Sequence, residues 1–358
     1  MRADNRLSKS LEEAFINNDT QYNFGGWAPQ KLFPRNFWVA GSLHIPNLPI
    51  TYPNVLSYSP DGINWYGGQG SNEKIFAVYD ITWSGEKWVA VGQRGNVAQG
   101  SRPNTIVYST DGVNWESSYN SLSVFSSSTL SVYWNGEMFV AGGGRPARLA
   151  YSYDGIVWSG ATTLGSFSAV NCNDVIFNGT YWGAVGATNG VVGFSTDGKN
   201  WNAPVLVIPI SQGYSISYGD GLWVVGGYEN IFYSSDMVNW SGSNASSIGI
   251  SFENIEYNGS MFVAGATDII TGGQLLYSYD GITWSGSSSG NTLFDAVEKV
   301  AWNGKIWIAA GTSNNYQTLA SSVDGINWTP IPGTTSVVGF EGYSIAAQPA
   351  PNLYPPRY

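Results

Sequence analysis

The residues of this chain that could do chemistry are few and unevenly placed. Four of its eight arginines, Arg94, Arg102, Arg145 and Arg148, fall between positions 94 and 148, and the single histidine, His44, lies upstream. Guanidinium forks bind carboxylates and phosphates through two parallel hydrogen bonds. In a chain of formal net charge −10 these arginines are a local reversal of sign. With Tyr119, Tyr228 and Tyr316 for stacking, they form a candidate ligand-binding set for an acidic glycan or an acidic protein loop. Hydrolysis finds less support. A Ser-His-Asp site would have to use His44, and no nucleophile elbow accompanies it. Glycoside hydrolysis needs two carboxyls about 5–5.5 Å or 6.5–9.5 Å apart; Asp268, Glu229, Asp295 and Glu298 are present, but no motif selects a pair. Metal-ligand spacing and phosphate-cradling motifs are missing, so neither catalysis nor a metal or cofactor is expected.

Composition narrows the classes further. Charged residues make up only 11% of the 358, with 45 Gly, 16 Trp and 22 Tyr. That is a turn-rich all-β composition. No Lys/Arg-rich run appears, which argues against nucleic-acid or anionic-membrane binding. No apolar run is long enough to span a bilayer. One cysteine, Cys172, excludes an intrachain disulfide framework. The charged start, Met1-Arg2-Ala3-Asp4-Asn5-Arg6, is unlike a signal peptide, so synthesis in a cytoplasm without secretion routing is expected.

The elements that must position these residues are announced by a repeat. Ser-x-Asp-Gly-x-x-Trp occurs seven times, with aspartates at Asp61, Asp111, Asp154, Asp197, Asp236, Asp280 and Asp324, 39 to 50 residues apart. The closing tryptophans are Trp65, Trp115, Trp158, Trp201, Trp240, Trp284 and Trp328, and only one copy departs, with Met237 in place of Gly. Asp-Gly between β-prone runs signals a type I′ hairpin, with positive φ at both central residues. The Ser and Asp oxygens are suited to accept N–H groups that the turn leaves unpaired, and the indole can lie back over it. Asn135-Gly136, Asn178-Gly179, Asp220-Gly221, Asn258-Gly259 and Asn303-Gly304 read as a second set of I′ turns. A period near 40 with four short strands per unit is the β-propeller solution.

The heptapeptide resembles the Asp box, or BNR repeat, of sialidase-like β-propellers, over roughly residues 33–348. The usual box has one residue between Asp and Gly; this one has none. The resemblance implies a turn between the third and fourth strands of each blade, and structural aspartates. A sialidase of the family would bring three arginines onto the substrate carboxylate, with a Tyr–Glu nucleophile and an Asp acid. Its Arg-Ile-Pro signature is absent here, where Pro34-Arg35-Asn36 stands.

The expected architecture is therefore all-β: a seven-bladed propeller of four-stranded antiparallel blades over residues 31–348. The first blade lacks an innermost strand, and Tyr343–Ala347 supplies it from the C-terminal side. Residues 1–30 read as a short helix and docking arm, with Leu7, Leu11 and Phe15 at helical spacing, and residues 349–358 as an extended Pro-rich tail. Heptapeptide turns and Asn-Gly turns share one face, and the variable loops that carry the arginines share the other. The expected role is a non-catalytic binding or assembly module, a virion or tail-associated part contacting other chains through its N-terminal arm. A lectin-like module for acidic glycans and a divergent sialidase-like hydrolase are the alternatives.

Overall fold

In a computed structural model of the chain, the described residues are 36–43, 54–95, 103–163, 170–188, 190–202, 208–269, 274–287, 293–312, 317–339 and 341–348. The expected N-terminal helix and arm and the Pro-rich tail lie outside them. The chain forms a seven-bladed β-propeller, and every blade begins with an innermost strand along a central channel. Blade 2 shows the pattern: Ala77–Trp83 innermost, then Trp88–Gln93, Ile106–Ser109 and a two-residue outer strand Glu116–Ser117, all antiparallel. Sequence dictates that order. The second strand of each blade is a short apolar run, buried on both sides between neighbouring blades, as Trp88 to Val91 are.

Closure is as the sequence implies. Gly342–Ala347 pairs antiparallel with Trp38–Ser42, putting Trp38 opposite Ala347 and Ala40 opposite Ile345. The ring thereby leaves no innermost strand unpaired, which removes an exposed edge. Blade 4 departs at its rim. Its outer position is held by a bridge from Phe194 to Asn202, while Asn200–Trp201 pairs parallel with Thr162–Thr163 of blade 3.

The turns correct one expectation. None of the seven heptapeptide aspartates has positive φ; only the residue after it does, from Gly112 at 67° to Gly62 at 81°, with Met237 at 59°. In the second set, Asp220 (50°) and Gly221 (78°) alone make a two-residue I′ hairpin, closing Gly219 onto Leu222. At Asn135 the side chain decides otherwise. Its Oδ1 accepts from the N–H groups of Glu137 and Met138, at 2.9 and 2.8 Å, which holds a four-residue loop between Trp134 and Phe139. Asn178, Asn258 and Asn303 do the same.

Candidate functional site

The channel is built by an irregularity shared by the innermost strands. In blades 2 to 7 the pairing shifts register immediately before Asp80, Ser131, Asp174, Ser215, Asn254 and Lys299. A β-bulge re-aims the side chains around it. The residue after the bulge reaches the next blade's innermost strand: Asp80 accepts from Val132 N, Ser131 from Val175 N, Asp174 from Ile216 N, Ser215 from Ile255 N and Asn254 from Val300 N, all at 2.9–3.0 Å. Five side chains thus stitch six blades together. Lys299 cannot continue the series because an ammonium has no acceptor. It extends to Asp80 instead, Nζ to Oδ1 2.9 Å. At the equivalent position of blade 1, the buried Ser344 Oγ has no hydrogen-bond partner among the described residues.

Lys299 and Asp80 are the floor of a cavity of about 460 Å³ that runs toward the turn face. Its walls include Tyr133, Asp174, Glu256 and the rings of Trp83, Trp134, Tyr257 and Trp302. Each of those four rings packs on an aromatic of its own second strand, with centroids 4.4–5.1 Å apart. Burial, joined by the charges of Asp174 and Asp80 and eased by Lys299, pushes the Glu256 carboxyl up to about 7. Burial also raises Asp174, against the pull of Lys299. Tyr133 is pushed up to about 12 by burial and by Glu256. Burial alone would lower the Lys299 ammonium, but Asp80 and Asp174 outweigh it and raise it. At the other end of the channel a second acidic group forms. Glu298 is pushed up to about 7 by burial and by Glu253 and Glu341, and Glu341 accepts from the Tyr343 hydroxyl at 2.6 Å.

The seven heptapeptide carboxylates do not approach the channel. In blade 2, Asp111 Oδ1 accepts from Val113 N (2.9 Å), Asn114 N (2.7 Å) and Ser109 Oγ (3.0 Å), and Oδ2 accepts from Asn114 Nδ2 (2.8 Å). Ser109 Oγ accepts from Gly112 N at 2.9 Å. Desolvation raises these acids, but the donated hydrogen bonds together outweigh it and hold all seven low, Asp111 at about 2. Six of the seven indoles are buried; Trp240, beside Met237, is half-buried.

Of the expected ligand-binding residues, His44, Arg102 and Tyr316 lie outside the described residues. Arg94 and Arg145 come together on the loop side of blades 2 and 3: Arg94 N donates to Ser127 O at 3.2 Å, and Ser126 N to Arg145 O at 2.8 Å. Both are exposed. Arg148 is turned inward, 5% exposed, and donates to Asn171 Oδ1 at 2.7 Å. Burial and the neighbouring Arg145 lower its guanidinium. Tyr228 is exposed on a loop of blade 5, its N–H donating to Gln212 O. Tyr119 sits elsewhere, at the rim, with its N–H on Ile156 O inside the blade-3 heptapeptide. Of the other carboxylates, Glu229 and Asp295 are exposed and Glu298 is half-buried near Glu253 and Glu341; the side chain of Asp268 lies outside what is described.

Sequence reading missed Asp80, Asp174, Glu256 and Lys299. A signal for three of them existed. Asp80, Ser131, Asp174, Asn254 and Lys299 each stand five residues before a turn glycine (Gly85, Gly136, Gly179, Gly259 and Gly304). Aligning the units on those glycines exposes a polar position inside an otherwise apolar strand.

No family model and no curated protein matches the chain. Solved structures do, at the level of fold. A GH74 enzyme of Niastella koreensis aligns over 81% of this chain and 43% of its own, with 14% identity and a TM-score of 0.55. Virginiamycin B lyase from Staphylococcus aureus aligns over 71% of this chain and 84% of its own, with 11% identity and a TM-score of 0.54. YCF48, in a structure bound to D1 peptide, aligns over 75% of this chain and 84% of its own, with 16% identity and a TM-score of 0.51.

Proposed function

We propose that the protein is a non-catalytic propeller of the Asp-box kind, a rigid module that binds or assembles other chains, in a virion or tail-associated particle. The observation that supports this most is where its carboxylates are employed. Each of the seven repeated aspartates accepts hydrogen bonds through Oδ1 from N–H groups of its own turn. Asp80 and Asp174 are occupied in joining blades. These nine carboxylates are engaged in holding the fold together rather than set across a scissile bond. Peptide recognition is compatible with the fold, since YCF48, a propeller of similar shape, has been solved with a peptide. The docking element in this reading is the segment 1–30. Deleting residues 2–30 is expected to leave the thermal transition of the propeller unchanged and to abolish incorporation into the parent particle. Undiminished incorporation sinks the assembly reading, and turnover of a fluorogenic sialoside by the intact chain sinks the non-catalytic one.

A second reading, a lectin-like module for acidic glycans, is favoured by one observation: Arg94 and Arg145 are exposed while their backbones hang from adjacent residues, Ser127 and Ser126. Glycan-array binding that disappears in the Arg94→Ala, Arg145→Ala variant is the expected outcome of that reading.

A further inference from the structure

We propose that the turn-side half of the channel is a binding site for a small organic cation, an alkylammonium or quaternary ammonium head group, held by Glu256, with the charge of Asp174 nearby, in the cavity lined by Trp83, Trp134, Tyr257 and Trp302. The cavity's 460 Å³ lies within the range of small-molecule pockets, about 300–1,000 Å³. The Asp80–Lys299 ion pair lies at its inner end, and the aromatic ends of the innermost strands line its turn side. Those rings are fixed before any ligand arrives. Trp83 packs on Trp88, Trp134 on Phe139 and Trp302 on Trp307, at 5.0, 4.4 and 5.1 Å. Blade 1 has Ala347 where the others carry aromatics, which leaves room on that side.

Charge selects the sign of the guest. Among the described residues the titratable groups lining the cavity are Asp80 from blade 2, Tyr133 from blade 3, Asp174 from blade 4, Glu256 and Tyr257 from blade 6 and Lys299 from blade 7; blades 5 and 1 present Ile216, Ile345, Ala346 and Ala347. Three carboxyls face one ammonium. Lys299 is committed to Asp80, so Glu256 and Asp174 lack a full countercharge, and burial answers by raising both. A guest cation supplies what is missing. An inorganic ion fits poorly, because among the described residues no group of three His, Cys, Asp or Glu is placed to hold a metal. Aromatic residues lining the same cavity as a carboxyl instead suit a soft, weakly hydrated organic cation. This site lies at the opposite end of the channel from the loops bearing Arg94 and Arg145, and it takes the opposite charge, so it stands or falls apart from the glycan reading.

The test is calorimetric titration of the full chain with choline and with its neutral isostere 3,3-dimethylbutan-1-ol. Choline is expected to bind one per chain at pH 8, at least tenfold more tightly than the alcohol. Its affinity should fall about tenfold between pH 8 and 5.5 as Glu256 takes up a proton. Glu256→Gln should weaken choline at pH 8 by a similar factor and flatten the pH profile. Absence of saturable choline binding, equal affinity for the alcohol, or a flat wild-type pH profile overturns the proposal. The wild-type profile decides even if the variant fails to fold.

Discussion

Asp111 takes four donors on one carboxylate, and two of them are backbone N–H groups that the turn offers no other acceptor. Asp111→Ala is therefore expected to cost about 2 kcal/mol, like the loss of a good helix N-cap compounded by an orphaned N–H. Urea unfolding measures it; a change below about 0.5 kcal/mol would mean water replaces the carboxylate without penalty. At this scale much was legible from residue types, because the partners sit within three positions of one another. Ser109, Asp111 and Trp115 play the parts their chemistry suggests. The turn type was not legible. Asp-Gly and Asn-Gly also suit turns in which the first side chain accepts two N–H groups and keeps its own φ negative, and that alternative prevails everywhere except Asp220-Gly221. Arg148 shows the other limit: a basic residue on a loop was read as a binding group, but positive φ (68°) and the bond to Asn171 turn it inward.

In blades 2 to 7 the innermost strand works as a unit of bulge, polar residue and terminal aromatic. The bulge lets Asp80, Ser131, Asp174, Ser215 and Asn254 cap the neighbouring strand's N–H, so blades are held by directed bonds as well as by apolar contact. Lys299 is the exception and serves as the countercharge of the layer. Lys299→Met is expected to destabilise the fold by about 3 kcal/mol at pH 8, because it strands Asp80 and Asp174 in an enclosed channel. The deficit should shrink at pH 5, where Glu256, raised to about 7, is protonated and no longer adds its charge to the layer. Unfolding in urea at the two pH values separates this from a simple packing loss, which would not change with pH. Strand existence was readable from short apolar runs before each turn, but the polar belt was not singled out, since its hydrogen-bond partners lie 40 to 52 residues away and Lys299 meets Asp80 only when the ring closes.

For the molecule as a whole, seven repeated turns and the returning strand Gly342–Ala347 made the ring readable, whereas the channel's contents depend on seven strands meeting at one axis. Two sets of acids then pull stability in opposite directions with pH. The rim aspartates have folded pKa values below the unfolded one, so their contribution is complete above about pH 4 and is lost as pH falls through about 2. Glu256 and Glu298 are raised to about 7, so their burial is tolerated below about pH 4.5 and becomes a loss as pH rises through 7. The most direct check on acids as masonry at the rim and strained groups in the channel is the unfolding free energy in urea from pH 2 to 9. Stability is expected to peak near pH 4–5.5, decline by on the order of 2 kcal/mol toward pH 8, and collapse below about pH 3. A maximum at pH 7–8, or a flat profile between pH 5 and 8, would contradict it.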